Sequence, residues 1–525
     1  MSNQVSGANP ELSTPNVAVA TRALFLGFAL LMVGNGLQGS LIGIRSQAEG
    51  FGIGVSGLIM AAYFAGFFAG SGMAARALSS VGHIRVFAAL ASTASSAVLL
   101  HSVFVTPLIW IGARFAFGLC MAGLYVVVES WLNDLASNET RGRLLSVYMV
   151  VSLGGLSLGQ VLLNVADSNG FVLFVLASVL VSMALVPVSL SGTTAAPELK
   201  LAKPMRMREL IRSVPSGVVG SAGVGAATGV MLAMGPVYGA ATGMSTQQIG
   251  AFVAAPMIGG VALQWPLGWL SDKVSRRPII LTISTVAAIV GLTMTQFDGY
   301  LIQVGAMFLL GGAVFPLYSL VLAYTNDWLG WSQIQAASST MVRINGMGAV
   351  VGPVLAAGLM SRYQPSAFYL VIAASCALVA AFVGYRMMVI DGLPAERQLR
   401  YIRLPVRGTA VATQLLPKFK SGRPSRRQAR RQFFAKDSAF DDSASEESGS
   451  EDSAFGHSAF DHSASDDGSH PEDRSNAESN DAAVASHLEF GHGEFTNGWD
   501  LADLEPTSPL HGEDLSAGAG SAPEG

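Results

Sequence analysis

Charge is scarce in this chain. Asp, Glu, Lys and Arg make up 13% of its 525 residues, about half the share of a soluble domain. An ordinary soluble enzyme is therefore excluded. Cysteine is nearly absent: Cys120 and Cys376 both lie in apolar runs. That rules out a disulfide framework and any zinc or redox spacing, so no metal site or cofactor is expected. No Gly-x-x-x-x-Gly-Lys-Ser/Thr loop occurs, which argues against an ATP-driven machine, and no nucleophile–base pair argues for an enzyme. The first residues, to about Pro15, are polar and acid-poor without a signal-peptide pattern, so the first apolar segment is expected to stay in place. Acids are also scarce over most of the length. Residues 1–436 carry 30 Lys and Arg against 13 Asp and Glu, a net +17, while residues 437–525 carry one Arg and 22 acids, a net −21. The overall charge of −4 hides a basic body and an acidic tail.

What is abundant is apolar sequence, 51% of the chain, together with 59 Gly. A membrane-spanning helix needs about 20 mostly apolar residues. Twelve candidates fit: 22–44, 53–76, 84–104, 107–131, 143–165, 170–190, 215–238, 248–270, 278–297, 301–324, 338–360 and 366–388. Turn signals such as Asp167-Ser168-Asn169-Gly170 and Asp298-Gly299 separate them. The fold expected is an all-α membrane protein. Its Gly- and Ala-rich faces suit close helix contacts in lipid.

Basic residues fix the expected orientation, because cytoplasmic loops collect Lys and Arg. With the N-terminus inside, thirteen such residues fall in inner loops and only Arg45 and Arg362 fall outside. Twelve spans return the C-terminus to the cytoplasm.

An internal repeat recurs at an offset of 193 residues. Gly36 falls on Gly229, Gly66 on Gly259, Leu124-Tyr125 on Leu317-Tyr318, Asn133-Asp134 on Asn326-Asp327, and Gly159 on Gly352. The expected layout is a cytoplasmic segment 1–21, a six-helix half 22–190 and a joining loop 191–214. A second, parallel six-helix half 215–390, a basic juxtamembrane segment 391–436 and a Ser-rich acidic tail 437–525 complete it. Two such halves place a substrate site near the bilayer midplane between them.

One loop is distinctive: Gly268-Trp-Leu-Ser-Asp272-Lys273-Val-Ser-Arg276-Arg277, between segments eight and nine. It resembles the signature loop of the major facilitator superfamily, with Ser275 in place of the usual Gly. The resemblance implies a conformational latch formed by Gly268, Asp272, Lys273, Arg276 and Arg277. The plain alternative is a positive-inside loop with an incidental acid. The first-half copy, Arg76 to Arg85, has no acid; Glu129 or Asp134 is available to replace it. In segment four, Arg114-Phe-Ala-Phe117-Gly118 resembles a helix motif of the same family, with Phe117 standing where Gln is usual. The resemblance implies a cavity-lining Arg114 that handles substrate or protons; snorkelling to the interface is the competing reading.

Glu129 is the one acid well inside a span of the body. It follows Arg114 by 15 residues, on nearly the same helix face and about 22 Å further along. A carboxylate held away from water can load and unload a proton. A structural ion pair with Arg141 or Arg143 is the alternative. Further polar candidates for the substrate or proton pathway are Asn35, Gln38, Gln160, Asn164, Gln264, Tyr318, Arg343 and Asn345, along with Tyr238 and Tyr324. Helix–helix hydrogen bonding competes at each of them.

The set Val126-Val-Val-Glu129-Ser130, Arg141-Gly142-Arg143, Gly155 to Gly159-Gln160, Gln264-Trp265-Pro266 and Gly348 to Gly352-Pro353 resembles the YcaD-like branch of the superfamily. This covers roughly residues 22–390. It implies a bacterial inner-membrane permease: a secondary transporter, symporter or antiporter, that moves a small-molecule substrate, with protons as partners and no nucleic acid, acting as a monomer. Gln160 stands where drug–proton antiporters of the superfamily have Pro. Two cavity Arg residues favour an anionic or zwitterionic substrate. A multidrug or metabolite efflux antiporter, and a solute sensor that signals through its tail, are the alternative functions. The juxtamembrane segment, with twelve Lys and Arg over 397–436, is suited to anionic lipid headgroups. The acidic tail, with too little apolar content for a core, is expected to be disordered.

Overall fold

The computed structural model describes residues 14–136, 140–190, 204–390, 398, 409 and 411. The expectations for the acidic tail, and nearly all of those for the juxtamembrane segment, lie outside these residues. Twelve helices are long and apolar enough to cross a membrane. In hydrocarbon every backbone donor and acceptor must be satisfied within the protein, and a continuous helix does this within a single segment.

The membrane helices are α1 (Thr14–Ala48), α2 (Gly52–Val81), α3 (His83–Val103), α4 (Pro107–Leu135) and α5 (Arg141–Leu162). The sixth, α6, runs as Val172–Met183 and Leu185–Ser189. Its break at Ala184 has a local cause: Pro187 supplies no N–H and crowds the Met183 carbonyl one turn back. The seventh, α7, runs through Pro215–Gly229, a π-helical turn Val230–Met234 and Gly235–Ala241. The wide turn leads into Pro236, whose missing donor a regular turn would leave as a gap. The rest are α8 (Thr246–Lys273), α9 (Arg276–Thr293), α10 (Tyr300–Asp327), α11 (Trp331–Arg362) and α12 (Ala367–Val389).

Several boundaries differ from the sequence reading, two of them in ways that matter for the connections. The first helix starts at Thr14 rather than residue 22, because Val17 to Ala20 are compatible with helix and continue it beyond the apolar run. The joining loop contains a short helix, Met207–Ser213. It is tied to α11 by Met205 N–H to the Ala336 carbonyl (3.1 Å) and by the Thr340 hydroxyl to the Met205 carbonyl (2.8 Å).

The repeat is physical as well as textual. Gly36 lets α1 lie against the Leu156 carbonyl of α5, and Gly229 lets α7 lie against the Ala349 carbonyl of α11. Gly66 seats α2 on Phe115 of α4, and Gly259 seats α8 on Phe308 of α10. Each partner is displaced by the same 193 residues as its glycine. A Cβ at any of the four would fall within repulsive distance of backbone, so the packing of each half depends on these hydrogens.

The halves meet through α2 with α11, α5 with α8, and α1 with α7. On the face away from the basic loops the seam is tight. A Cβ on Gly43 would stand 2.7 Å from Pro236, and one on Gly250 would stand 2.9 Å from the Gln160 carbonyl. Gly57 lies against Ala357, and Gly54 approaches Ser361. Toward the basic face, α2, α7 and α11 diverge around a cavity.

Candidate functional site: a cavity between the halves

The cavity has an empty volume of about 630 Å³, open to solvent. Tyr63, Phe64, Phe67, Phe68 and Ser71 of α2 form one wall, and Thr228, Arg343, Asn345 and Ala349 of α7 and α11 form the other. Thr409 completes the lining. Tyr63, Phe64 and Phe67 follow an i, i+1, i+4 pattern, which keeps them on one side of α2.

Arg114 is buried at 4% exposure, so snorkelling to the interface does not describe it. Its guanidinium donates to Gln38 Oε1 and lies 4.9 Å from the centre of the Tyr63 ring. The Asn35 amide donates to the Tyr63 hydroxyl at 3.4 Å. Asn35, Gln38 and Arg114 are thereby brought together around one cavity-lining tyrosine. The guanidinium is thus held over an aromatic face by an amide oxygen, a geometry that favours it as a cation.

Glu129 is fully buried. Its carboxylate accepts from the Tyr148 hydroxyl at 2.8 Å and from the Thr409 N–H at 3.1 and 3.2 Å; the Thr409 hydroxyl also donates to it. Tyr318, on the other half, is buried and close enough to interact electrostatically with Glu129.

The remaining candidates divide. Arg343 is exposed to the cavity, and Asn345 lines it while donating to the Ser221 carbonyl at 3.3 Å. Gln160 instead joins α1 to α5: it accepts from Ser40 at 2.5 Å and donates to the Gly36 carbonyl at 2.9 Å. Gln264 is buried in α8 and is not among the residues that line the cavity. Asn164 lies past the end of α5, exposed and bonded to its own Val161 carbonyl. The expected helix through residue 165 stops at Leu162, so Asn164 does not reach the cavity. Tyr238 stacks on Phe252 and Phe368 at the far end of α7.

At the basic face, Arg276 is 1% exposed and pairs with Asp327 at the end of α10. Asp272 lies 3.9 Å from Arg276, one turn away. Arg277 donates to the Ile390 carbonyl (2.6 Å) and covers the rings of Tyr324 and Trp328. Lys273 lies over Trp269 at 3.9 Å, and the Gly268 carbonyl accepts from Ser271. These contacts tie α8, α9, α10 and the end of α12 into one block. Ser275 has φ −57°, so no glycine is needed there, whereas its first-half counterpart Gly82 has φ +87°.

The first-half acid is Asp134. It lies 3.7 Å from His83 Nε2, which also bonds the Ser130 hydroxyl at 3.1 Å. His83 and Asp134 are the 193-residue counterparts of Arg276 and Asp327, so the same joint is built twice with different cations. The repeat offset contained this pairing, although the motif-by-motif reading passed over it. Nothing in the sequence signalled Thr409, which meets Glu129 across 280 positions.

A helical bundle in two repeated halves, with a largely aromatic cavity open at one face, is the architecture of a multi-pass membrane transporter. A sequence profile described as Major Facilitator Superfamily matches residues 217–416. An uncharacterized MFS-type transporter of Yersinia pestis (strain Pestoides F) is 28% identical over 353 residues, 66% of this chain and 88% of that protein. The transporter YcaD of Salmonella newport (strain SL254) is 27% identical over 326 residues, 60% and 82% of the two chains. The nucleoside transporter NupG shares the fold with a TM-score of 0.56 at 12% identity, covering 71% of this chain and 99% of its own. A bacterial homologue of the human lysosomal transporter Spinster, inward-facing and unoccupied, gives 0.56 at 13% identity, covering 78% and 100%. The chain is thus similar to major facilitator superfamily permeases, those of the YcaD-like branch among them.

Proposed function

We propose that the chain carries a small solute across the bacterial inner membrane by alternating access, coupled to protons at Glu129, with both termini in the cytoplasm. The observation that carries this reading is the asymmetry of the seam. Glycine contacts close the halves at one face while an aromatic cavity opens between them at the face that bears the basic loops. The excess of Lys and Arg assigns that face to the cytoplasm, so the described state is inward-open. Glu129 lies at the inner end of the path with a tyrosine from each half nearby. A group so placed can pass a proton between the two access states.

The cavity suits a solute with a planar or apolar body and an acidic group. Four aromatic side chains supply the apolar wall, and Arg343 with the Arg114–Tyr63 pair supplies positive charge. An anionic or zwitterionic solute follows from that balance. The wide aromatic wall also suits efflux of amphipathic compounds, the second reading.

A paired growth screen of a deletion strain and its complemented parent, across toxins and sole nutrients, names the solute and the direction. Flux is then followed in everted vesicles with an imposed proton gradient. Glu129→Gln is expected to abolish gradient-driven flux while leaving solute exchange. Undiminished gradient-driven flux in that variant would refute the coupling role.

A further inference from the structure

Thr409 is 1% exposed, as is Val411, although both lie beyond the last membrane helix. The Thr409 N–H reaches both oxygens of Glu129, and its hydroxyl reaches one of them. The same hydroxyl oxygen accepts from the Val411 N–H at 3.2 Å. This local turn points both Thr409 donors at one carboxylate. Thr409 also lines the cavity, together with Tyr63 and Arg343. The residue that engages the buried acid therefore sits in the path a solute would take.

The reach is ample. Thr409 follows Val389, the end of α12, by 20 residues, which span up to about 66 Å when extended. Glu129 is six residues, or about 9 Å of helix rise, from the end of α4. A carboxylate buried in the membrane needs donors around it. Here the chain's own C-terminal extension supplies three of the contacts.

We infer that the inner end of the cavity is an intramolecular docking site for Thr409 and Val411, which plug it at Glu129 and must leave before that carboxylate can exchange a proton with the cavity. The inference rests on the cavity being the transport path, but its test reads occupancy rather than flux, so the two can fail separately. The backbone amide and hydroxyl of Thr409 occupy the carboxylate oxygens that a transported proton would load. Tail and proton then compete for the same oxygens.

The experiment uses the full chain in everted vesicles, with Ser71→Cys placed in the cavity wall as a reporter. A membrane-impermeant maleimide is added from the side of the basic loops. The native Cys120 and Cys376 are each 2% exposed and set the background. Thr409→Pro removes both donors, and Val411→Asp puts a charge at a buried position. With a plug, the labelling rate follows the unplugged fraction, so both variants are expected to raise it at least about tenfold. The Ser71→Cys, Thr409→Cys pair is expected to be joined by a short bismaleimide. Equal labelling rates in the reporter alone and in both variants, with no joined product, overturn the inference.

Discussion

Removing Asp327 offers the sharpest test of how the second half is held together. Its side chain is 2% exposed and that of Arg276 is 1% exposed, and the two are in direct contact. Asp327→Ala leaves a guanidinium inside the protein, with Asp272 as a more distant acid at 3.9 Å and 37% exposure. Breaking a buried pair from one side costs about 3–5 kcal/mol. At about 2–4 °C per kcal/mol for a unit of 150–250 residues, the thermal midpoint falls by about 6–20 °C. The repeat-related Asp134→Ala is the internal control. Asp134 is 47% exposed and 3.7 Å from His83, so its loss should cost less than about 1 kcal/mol. Melting of the purified protein in detergent, followed by tryptophan fluorescence, separates the cases. Replacing both partners, Arg276→Met with Asp327→Leu, should recover most of the loss, because no buried charge is left unpaired and Asp272, at 37% exposure, is hydrated. If Asp327→Ala melts no lower than Asp134→Ala, or the double variant melts as low as the single, the argument from burial is wrong.

Other expectations follow from the packing and the site. Gly118→Leu drives a side chain into the Tyr63 carbonyl and should cost upwards of about 1–3 kcal/mol, seen as loss of monodisperse protein. Gly72→Ala meets nothing within 4 Å and should be neutral or stabilise by up to about 1 kcal/mol in the same melt. Arg114→Lys keeps the charge but loses the planar group between Gln38 and Tyr63; solute flux should fall about 10- to 100-fold with the melting point held. Arg277→Ala frees the Ile390 carbonyl and uncovers Tyr324 and Trp328. It should speed proteolysis at the end of α12 without changing solute affinity, as limited digestion and binding assays would show.

Much of the architecture was legible because it depends on local composition. Length and hydropathy determine a span, and each of the twelve apolar runs became one. The 193-residue offset was readable because the same close contacts recur in both halves, and glycine is the residue that permits them. The candidate site was legible in part. Arg114, Asn35 and Gln38 come together because charge and amides inside a bilayer seek one another. Asn164 was misplaced because a helix end depends on where the turn begins, and hydropathy alone does not mark that. Gln160 had the right polarity, but its partners on α1 are set by helix rotation. Thr409 was invisible for a different reason: an isolated Thr in a polar extension carries no periodicity, and its partner is a feature of the folded cavity.

Gly43 and Pro236 are separated by the repeat offset itself, and they touch. Only a point on the two-fold axis can meet its own image, so that axis passes through this contact, at the closed face. The chain behaves there like a dimer fused into one polypeptide, and the two members of the contact are free to differ. A true dimer would have to place glycine against glycine or proline against proline. Fusion permits a flat ring on one side and a bare backbone on the other, a bearing surface without side chains to interlock. Exchanging the two residues would preserve their combined volume but move the proline from the first turn after the π-helical stretch of α7 into the regular helix of α1, where no such stretch precedes it.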